Sequence, residues 1–296
     1  MFDRTLTANE WRARREAYRA RVRPWVTDRV HRVSRQRKHP VHDFLFEYYA
    51  YRPSYLMRWS PGVGVRLEGA SEADLDWRQW SRPCDGGWVL PVDGFPQRRL
   101  PFLRWAIDYL ETTGGREPSF GCFGLHEWAM VYREEQVRHG RVPLRLSRSA
   151  TNAVVESAAL HCTHYDAFRF FTPAAVPRNR VPLSREATAD HDQPGCLHVT
   201  MDLYKWAFVI APYSAAEVVA DAFELAVVAR ELDMRVSPYD LTGFGFTPIR
   251  IETREGREEY VETQRDLYRR AQPVRVRVLA EYRRLLAVTP AGTRGP

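Results

Sequence analysis

Seven of the nine histidines in this 296-residue chain fall in four short motifs that also carry carboxylates and aromatic rings. They are His39-Pro-Val-His42-Asp43 running to Glu47, Leu125-His126-Glu127-Trp128, His161-Cys-Thr-His164-Tyr-Asp166, and His191-Asp-Gln-Pro-Gly-Cys-Leu-His198 running to Asp202. Imidazoles and carboxylates are costly to bury alone, so a fold that gathers several usually does so around a metal ion or a reacting group. A nitrogen and oxygen donor set without obligatory thiolate suits non-haem iron first, with zinc or manganese as alternatives. The four cysteines (Cys84, Cys122, Cys162, Cys196) contain no C-x-x-C pair, which argues against a zinc knuckle or a disulfide scaffold. Cys162 sits between two histidines, but neighbours on one helix diverge, so a Cys-His nucleophile is not expected.

These groups must be positioned by helices. Ala8 to Arg37 has apolar residues at helical spacing, with Pro24 forcing a kink or break. A short helix is expected over His42 to Tyr51, and loops over Trp59 to Asp93 with a hairpin near Gly87. Pro101 opens a helix that stops at Gly114-Gly115. Further helices are expected over Gly124 to Arg138, Ala150 to Phe171 and Gly195 to Ile210. Ser214-Ala-Ala-Glu217 matches a capping box opening Val218 to Leu232. Pro248 to Glu262 reads as a hairpin about Arg254-Glu-Gly-Arg, followed by helices at 261 to 271 and 274 to 287. The expected fold class is therefore mainly α: a helical, bundle-like single domain with long loops and one or two small β-hairpins.

Residues three or four apart share a helix face, so His161 with His164, His198 with Asp202, and Asp43 with Glu47 could each present two convergent groups. Glu156 lies two turns before His164. Bundle proteins hold iron or manganese with such pairs. The candidate ligands are His161, His164, His198, Asp202, Glu156, His126, His42 and Glu47, with Trp128, Tyr165, Tyr204 and Trp206 as a water-excluding wall. Quieter roles exist for some. His39 could bond a backbone carbonyl and Asp43 cap a helix. His126 and Glu127, as sequence neighbours, would not both face one site. Asp221 and Glu224 read as a solvated or salt-bridged face, and His31 and His139 as surface residues.

Composition sets the outer limits. With 44% hydrophobic and 27% charged residues the chain reads as globular. No apolar run reaches the roughly 18 residues that a bilayer requires, and no secretory signal is visible, so a cytoplasmic protein without membrane contact is expected. Of the net charge of +7, residues 1 to 38 hold twelve basic groups against four acidic ones, leaving the remainder near neutral. That segment reads as a basic N-terminal helical arm able to touch nucleic-acid phosphates, before a catalytic domain over 39 to 288 and a flexible tail over 289 to 296.

Longer runs carry a resemblance. Lys38-His-Pro-Val-His-Asp-Phe-Leu-Phe-Glu-Tyr-Tyr-Ala-Tyr-Arg-Pro-Ser, Phe123-Gly-Leu-His-Glu-Trp-Ala-Met-Val-Tyr-Arg, Cys162-Thr-His-Tyr-Asp-Ala-Phe-Arg-Phe-Phe-Thr-Pro, Gln193-Pro-Gly-Cys-Leu-His and Met201-Asp-Leu-Tyr-Lys-Trp are similar to those of a bacterial family named for 3-methyladenine DNA glycosylase activity. The resemblance spans nearly the whole chain. It implies a DNA-repair N-glycosylase removing alkylated purines: aromatics stack on a flipped base, Asp166 or Asp202 activates water, and the Arg-rich arm holds phosphates. The residues themselves point instead to a metal-dependent enzyme, a non-haem iron oxidoreductase acting on a small aromatic or heterocyclic substrate. In that reading Asp166, Asp202, Tyr165 and Tyr204 lie near the reaction. A non-catalytic binding protein with structural histidines is the third possibility.

Overall fold

The computed structural model describes residues 4–134 and 142–289. Its first element, β1 (Arg4–Leu6), pairs in parallel with β2 (Val65–Glu68). The hairpin of β3 (Arg82–Cys84) and β4 (Gly87–Val89) completes a four-stranded sheet in the order β1-β2-β4-β3. A hairpin was expected at Gly87; β1 and β2 were not, because three or four residues show too little alternation to read.

Everything else of consequence is helical, so the fold is mainly α, as expected. Helix α1 (Ala8–Ser34) starts at a capping box in which Thr7 and Glu10 satisfy each other's backbone N–H. Pro24 lies inside α1 without ending it. The helix is held from outside instead: Trp11, Tyr18, Val22 and Val26 are buried, Trp11 Nε1 donates to the Glu68 carbonyl at 3.0 Å, and Tyr18 donates to Leu56 at 2.6 Å. This segment is thus packed on the body rather than projecting as an arm. It lies against α3 (Pro53–Leu56), which follows the short α2 (Phe44–Tyr48), and against β1, β2 and α10 (Ala216–Arg235).

Helix α4 (Leu100–Gly114) has Pro101 in its first turn and ends at Gly115, matching the sequence reading. Two expectations fail nearby. The helix from Gly124 is only α5 (Leu125–Ala129) before turns take over, and residues 135–141, including His139, lie outside the described part. The long helix from Ala150 is α6 (Arg148–Ser157), an extended stretch, and then α7 (Tyr165–Phe168). The break has a cause. Asn179 accepts from the Cys162 N–H at 2.8 Å and donates to its carbonyl at 3.0 Å, while the Arg180 N–H donates to Leu160, so residues 160–162 find strand-like partners.

After α8 (Thr188–His191), helix α9 (Leu197–Val209) and α10 form a tightly packed hairpin across residues 210–215. The anticipated capping box is not made: α10 begins after Ala215 without a side-chain cap, and Glu217 is taken by Arg14 and Trp59. No hairpin forms near Arg254. Thr253 instead accepts from the Gly256 N–H at 3.1 Å and opens α11 (Arg254–Val288), one helix running through Pro273 where two were expected. Tyr260, Gln264, Leu267, Ala271, Val278, Tyr282 and Leu285 form one buried stripe, packed on α4, α9 and α10, that carries the helix across the proline. No helix among the described residues is long and apolar enough to cross a membrane.

Candidate metal centre

The α9/α10 hairpin brings the first turn of α9 beside the last turns of α10. That juxtaposition sets His198 next to Asp233 and Arg230. Helix α5 docks onto the same end of α10: Trp128 donates to the Val236 carbonyl at 2.8 Å, and Gly124, at φ +66°, passes so close that a Cβ there would collide with Val236. From this position both polar residues of α5 reach α10. His126 Nε2 lies 2.7 Å from Asp233 Oδ1, and Glu127 Oε1 accepts from Arg230 Nη1 at 2.9 Å. Arg230 also donates to Asp233 Oδ2 at 2.5 Å, so sequence neighbours His126 and Glu127 do engage one network, contrary to expectation. They can because Arg230 and Asp233 are themselves a turn apart.

His126, His198 and Asp233 each offer a ligand atom within 4.8 Å of the others, and they are the one such group of three among the described residues. Metal–nitrogen and metal–oxygen bonds of about 2.1 Å set two ligands at right angles roughly 3 Å apart. The 2.7 Å between His126 and Asp233 is close to this spacing. On the far side of the His126 ring, Nδ1 meets the Cys122 thiol at 3.4 Å, an outer contact that leaves Nε2 directed inward. The nitrogens of His198 have no hydrogen-bond partner among the described residues; its ring meets His126 edge-on at 4.5 Å and His164 face-on at 5.3 Å.

Charge gives a second argument. Arg230, Glu127 and Asp233 are all at least 94% buried, and one guanidinium faces two carboxylates. With these groups ionised the network carries one residual negative charge, which favours positive charge at His126. Burial disfavours a protonated His126, but Asp233 more than compensates through its charge and hydrogen bond, leaving the imidazole well above its usual range. For His198 burial, then the charge on His126, drives the pKa well down, keeping it neutral. A proton on His126 balances that residual charge, and a divalent ion between the three residues would more than balance it.

Of the other sequence-derived candidates, His164 alone adjoins this centre. It lies in the extended stretch before α7, and its Nδ1 donates to Asp192 Oδ1 at 2.9 Å. Asp192, fully buried, also accepts from Tyr109 at 2.5 Å. His161 shares no helix face with it, because residues 158–164 are not helical; it is half-buried near Gly121. Asp202 lies a turn beyond His198 but is occupied by Tyr49 at 2.8 Å and Lys205 at 2.7 Å.

The remaining candidates are elsewhere. His42 pairs with Glu231 at 2.9 Å and stacks on His39, whose Nδ1 accepts from the Val41 and His42 N–H groups rather than donating to a carbonyl. Glu47 pairs with Arg29 and Lys38, and Glu156 with Tyr132 and Arg133. Asp166 pairs with Arg169, and Tyr165 lies under Arg185. Tyr204 is core, among Tyr49, Tyr51 and Phe223. Trp128 is fully buried where α5 docks, and Trp206 packs on Tyr109 and Trp105.

Asp233, Arg230, Asp192 and Tyr109 were missed as site residues. A signal existed for the first two: α10 is apolar on nearly every face, so charged residues within it must be buried and paired. Asp221 and Glu224, on its one polar stripe, are salt-bridged by Arg21 as expected. Compared with known protein families, curated proteins and solved structures, the chain finds no match.

Proposed function

We propose that this protein is a metal-dependent enzyme whose ion is held by His126, His198 and Asp233, and that the ion is non-haem iron. The observation that carries the reading is the convergence of two imidazoles and one carboxylate from α5, α9 and α10 around a buried excess of negative charge. Two histidines and a carboxylate, with further positions open, are the donor set of non-haem iron(II) oxygenases. Iron bound there would supply one-electron redox chemistry and Lewis acidity. The chain's own residues do the positioning: Arg230 fixes Asp233, Cys122 backs His126, and Gly124 lets α5 approach α10.

The proposed substrate is a small aromatic or heterocyclic molecule. A cleft of about 1030 Å³ between Phe120, Phe123, Tyr268 and the arginines Arg257 and Arg265 supports that class. Phe123 lines it, while the next residue back, Cys122, contacts His126. The glycosylase alternative draws less support from α1, since Arg14, Arg19, Arg21, Arg29 and Arg32 each hold a carboxylate of this chain.

Elemental analysis of freshly purified protein tests the reading. One equivalent of iron is expected per chain, falling below about a tenth in His198→Ala and Asp233→Asn while Glu156→Gln keeps it, a loss of over 1.4 kcal/mol in binding. Metal-free protein that releases bases from alkylated DNA would overturn it in favour of the glycosylase.

A further inference from the structure

Ring contacts and hydrogen bonds together link the centre to an exposed indole at the surface. His198 stacks on His164 at 5.3 Å and 10°, and His164 is hydrogen-bonded through Asp192 to Tyr109. The Tyr109 ring lies 5.6 Å from Trp105, nearly parallel at 18°, and 5.1 Å from Trp206; the two indoles are 5.8 Å apart. Asp192, His164, Tyr109 and Trp206 are all buried, whereas Trp105 is 49% exposed. The exposed indole is the point where this cluster meets solvent.

We propose that Tyr109 is a redox-active tyrosine and that Trp105, with Trp206, conducts electrons between it and the protein surface. The inference rests on the metal-site reading for its physiological oxidant, an oxidised iron centre. In the oxidising step one electron leaves the Tyr109 phenol for that oxidant. The phenolic proton crosses the 2.5 Å hydrogen bond to Asp192 Oδ2, giving a neutral tyrosyl radical and a neutral carboxylic acid. Reduction reverses both transfers: an electron from a one-electron reductant at the surface enters through Trp105, and the proton returns to the phenol. Burial, reinforced by the charge on Asp192, holds the Tyr109 pKa well above its usual range, so the phenol keeps its proton until the electron departs. In the reducing step the roles are separate, since the proton returns from Asp192 while the electron enters through the indoles.

The test oxidises the full chain with photogenerated ruthenium(III) tris-bipyridyl and reads the product by electron paramagnetic resonance. This external oxidant makes the outcome independent of whether iron is bound. Wild type should trap a neutral tyrosyl radical. Tyr109→Phe should remove most of that signal, and Trp105→Phe, a surface change that spares the fold, should slow its formation by about tenfold. Asp192→Asn, lacking the proton acceptor, should slow it further and change its solvent isotope effect. An equal radical yield in Tyr109→Phe, or an unchanged rate in Trp105→Phe, would overturn the proposal. Iron content measured on the same samples separates the two readings. Bound iron with no Tyr109 radical sinks only this inference, and a Tyr109 radical in a chain that binds no iron sinks only the metal centre.

Discussion

Arg230 holds the centre's charge together. It is 2% exposed, lies over the Phe44 ring at 3.9 Å, and satisfies Glu127 and Asp233 with one nitrogen. Removing one partner from a buried ionic network leaves the others uncompensated, at a cost of about 3–5 kcal/mol. Arg230→Met should lower unfolding stability by that amount in urea titrations; a loss under about 1 kcal/mol would mean the carboxylates are solvated. His39 gives a pH-dependent counterpart outside the centre. Burial, then the charge on His42, brings its pKa down to about 4, from about 6.5 in an unfolded chain. Between those values the unfolded state binds more protons, so this contribution is complete above about pH 6.5 and is lost as pH falls toward about 4. The midpoint of urea unfolding should therefore drop between pH 7 and pH 4.5, and drop less in His39→Asn. An equal drop would assign the slope to other groups.

At the scale of elements, legibility followed burial pattern. Helices α4 and α9 were readable because proline, glycine and apolar spacing all mark the same boundaries. The break after α6 was not, because its cause is Asn179, seventeen residues beyond Cys162, and local periodicity cannot register a partner that far along the chain. The same limit divided the candidate site. His126 and His198 stood out as histidines in dense motifs, but Asp233 joins them only because a hairpin reverses the chain. His161 and His164 lost their shared face when the helix under them failed to form. Asn179→Ala removes side-chain hydrogen bonds to both backbone groups of Cys162 and should cost about 2 kcal/mol, leaving the buried amide unpaired. It should also increase amide exchange across residues 160–164. Unaltered exchange there would show that the Leu160 bridge alone holds the strand-like stretch.

On the scale of the whole molecule, the question is whether the basic N-terminal segment is separable. Net charge and composition suggested an arm, since sequence alone does not tell an arginine aimed at solvent from one aimed at a neighbouring helix. The structure assigns these arginines inward partners: Arg14 to Glu217, Arg21 to Asp221 and Glu224, and both Arg29 and Arg32 to the buried Asp43. Beneath them Trp11 is fully buried against the sheet and Tyr18 against α3. Partly exposed ion pairs contribute little individually, so the apolar face is what docks α1 and the arginines fix its register. Trp11→Ala should then cost about 3–5 kcal/mol, the range for emptying a buried aromatic site. In a chain of this size that lowers Tm by roughly 10 °C. An independent arm predicts the opposite, a melting curve unchanged by Trp11→Ala or by removal of residues 1–38. Calorimetry of the two forms decides between an arm that carries phosphate contacts and a helix that completes the core, and the burial of Trp11 argues for the core.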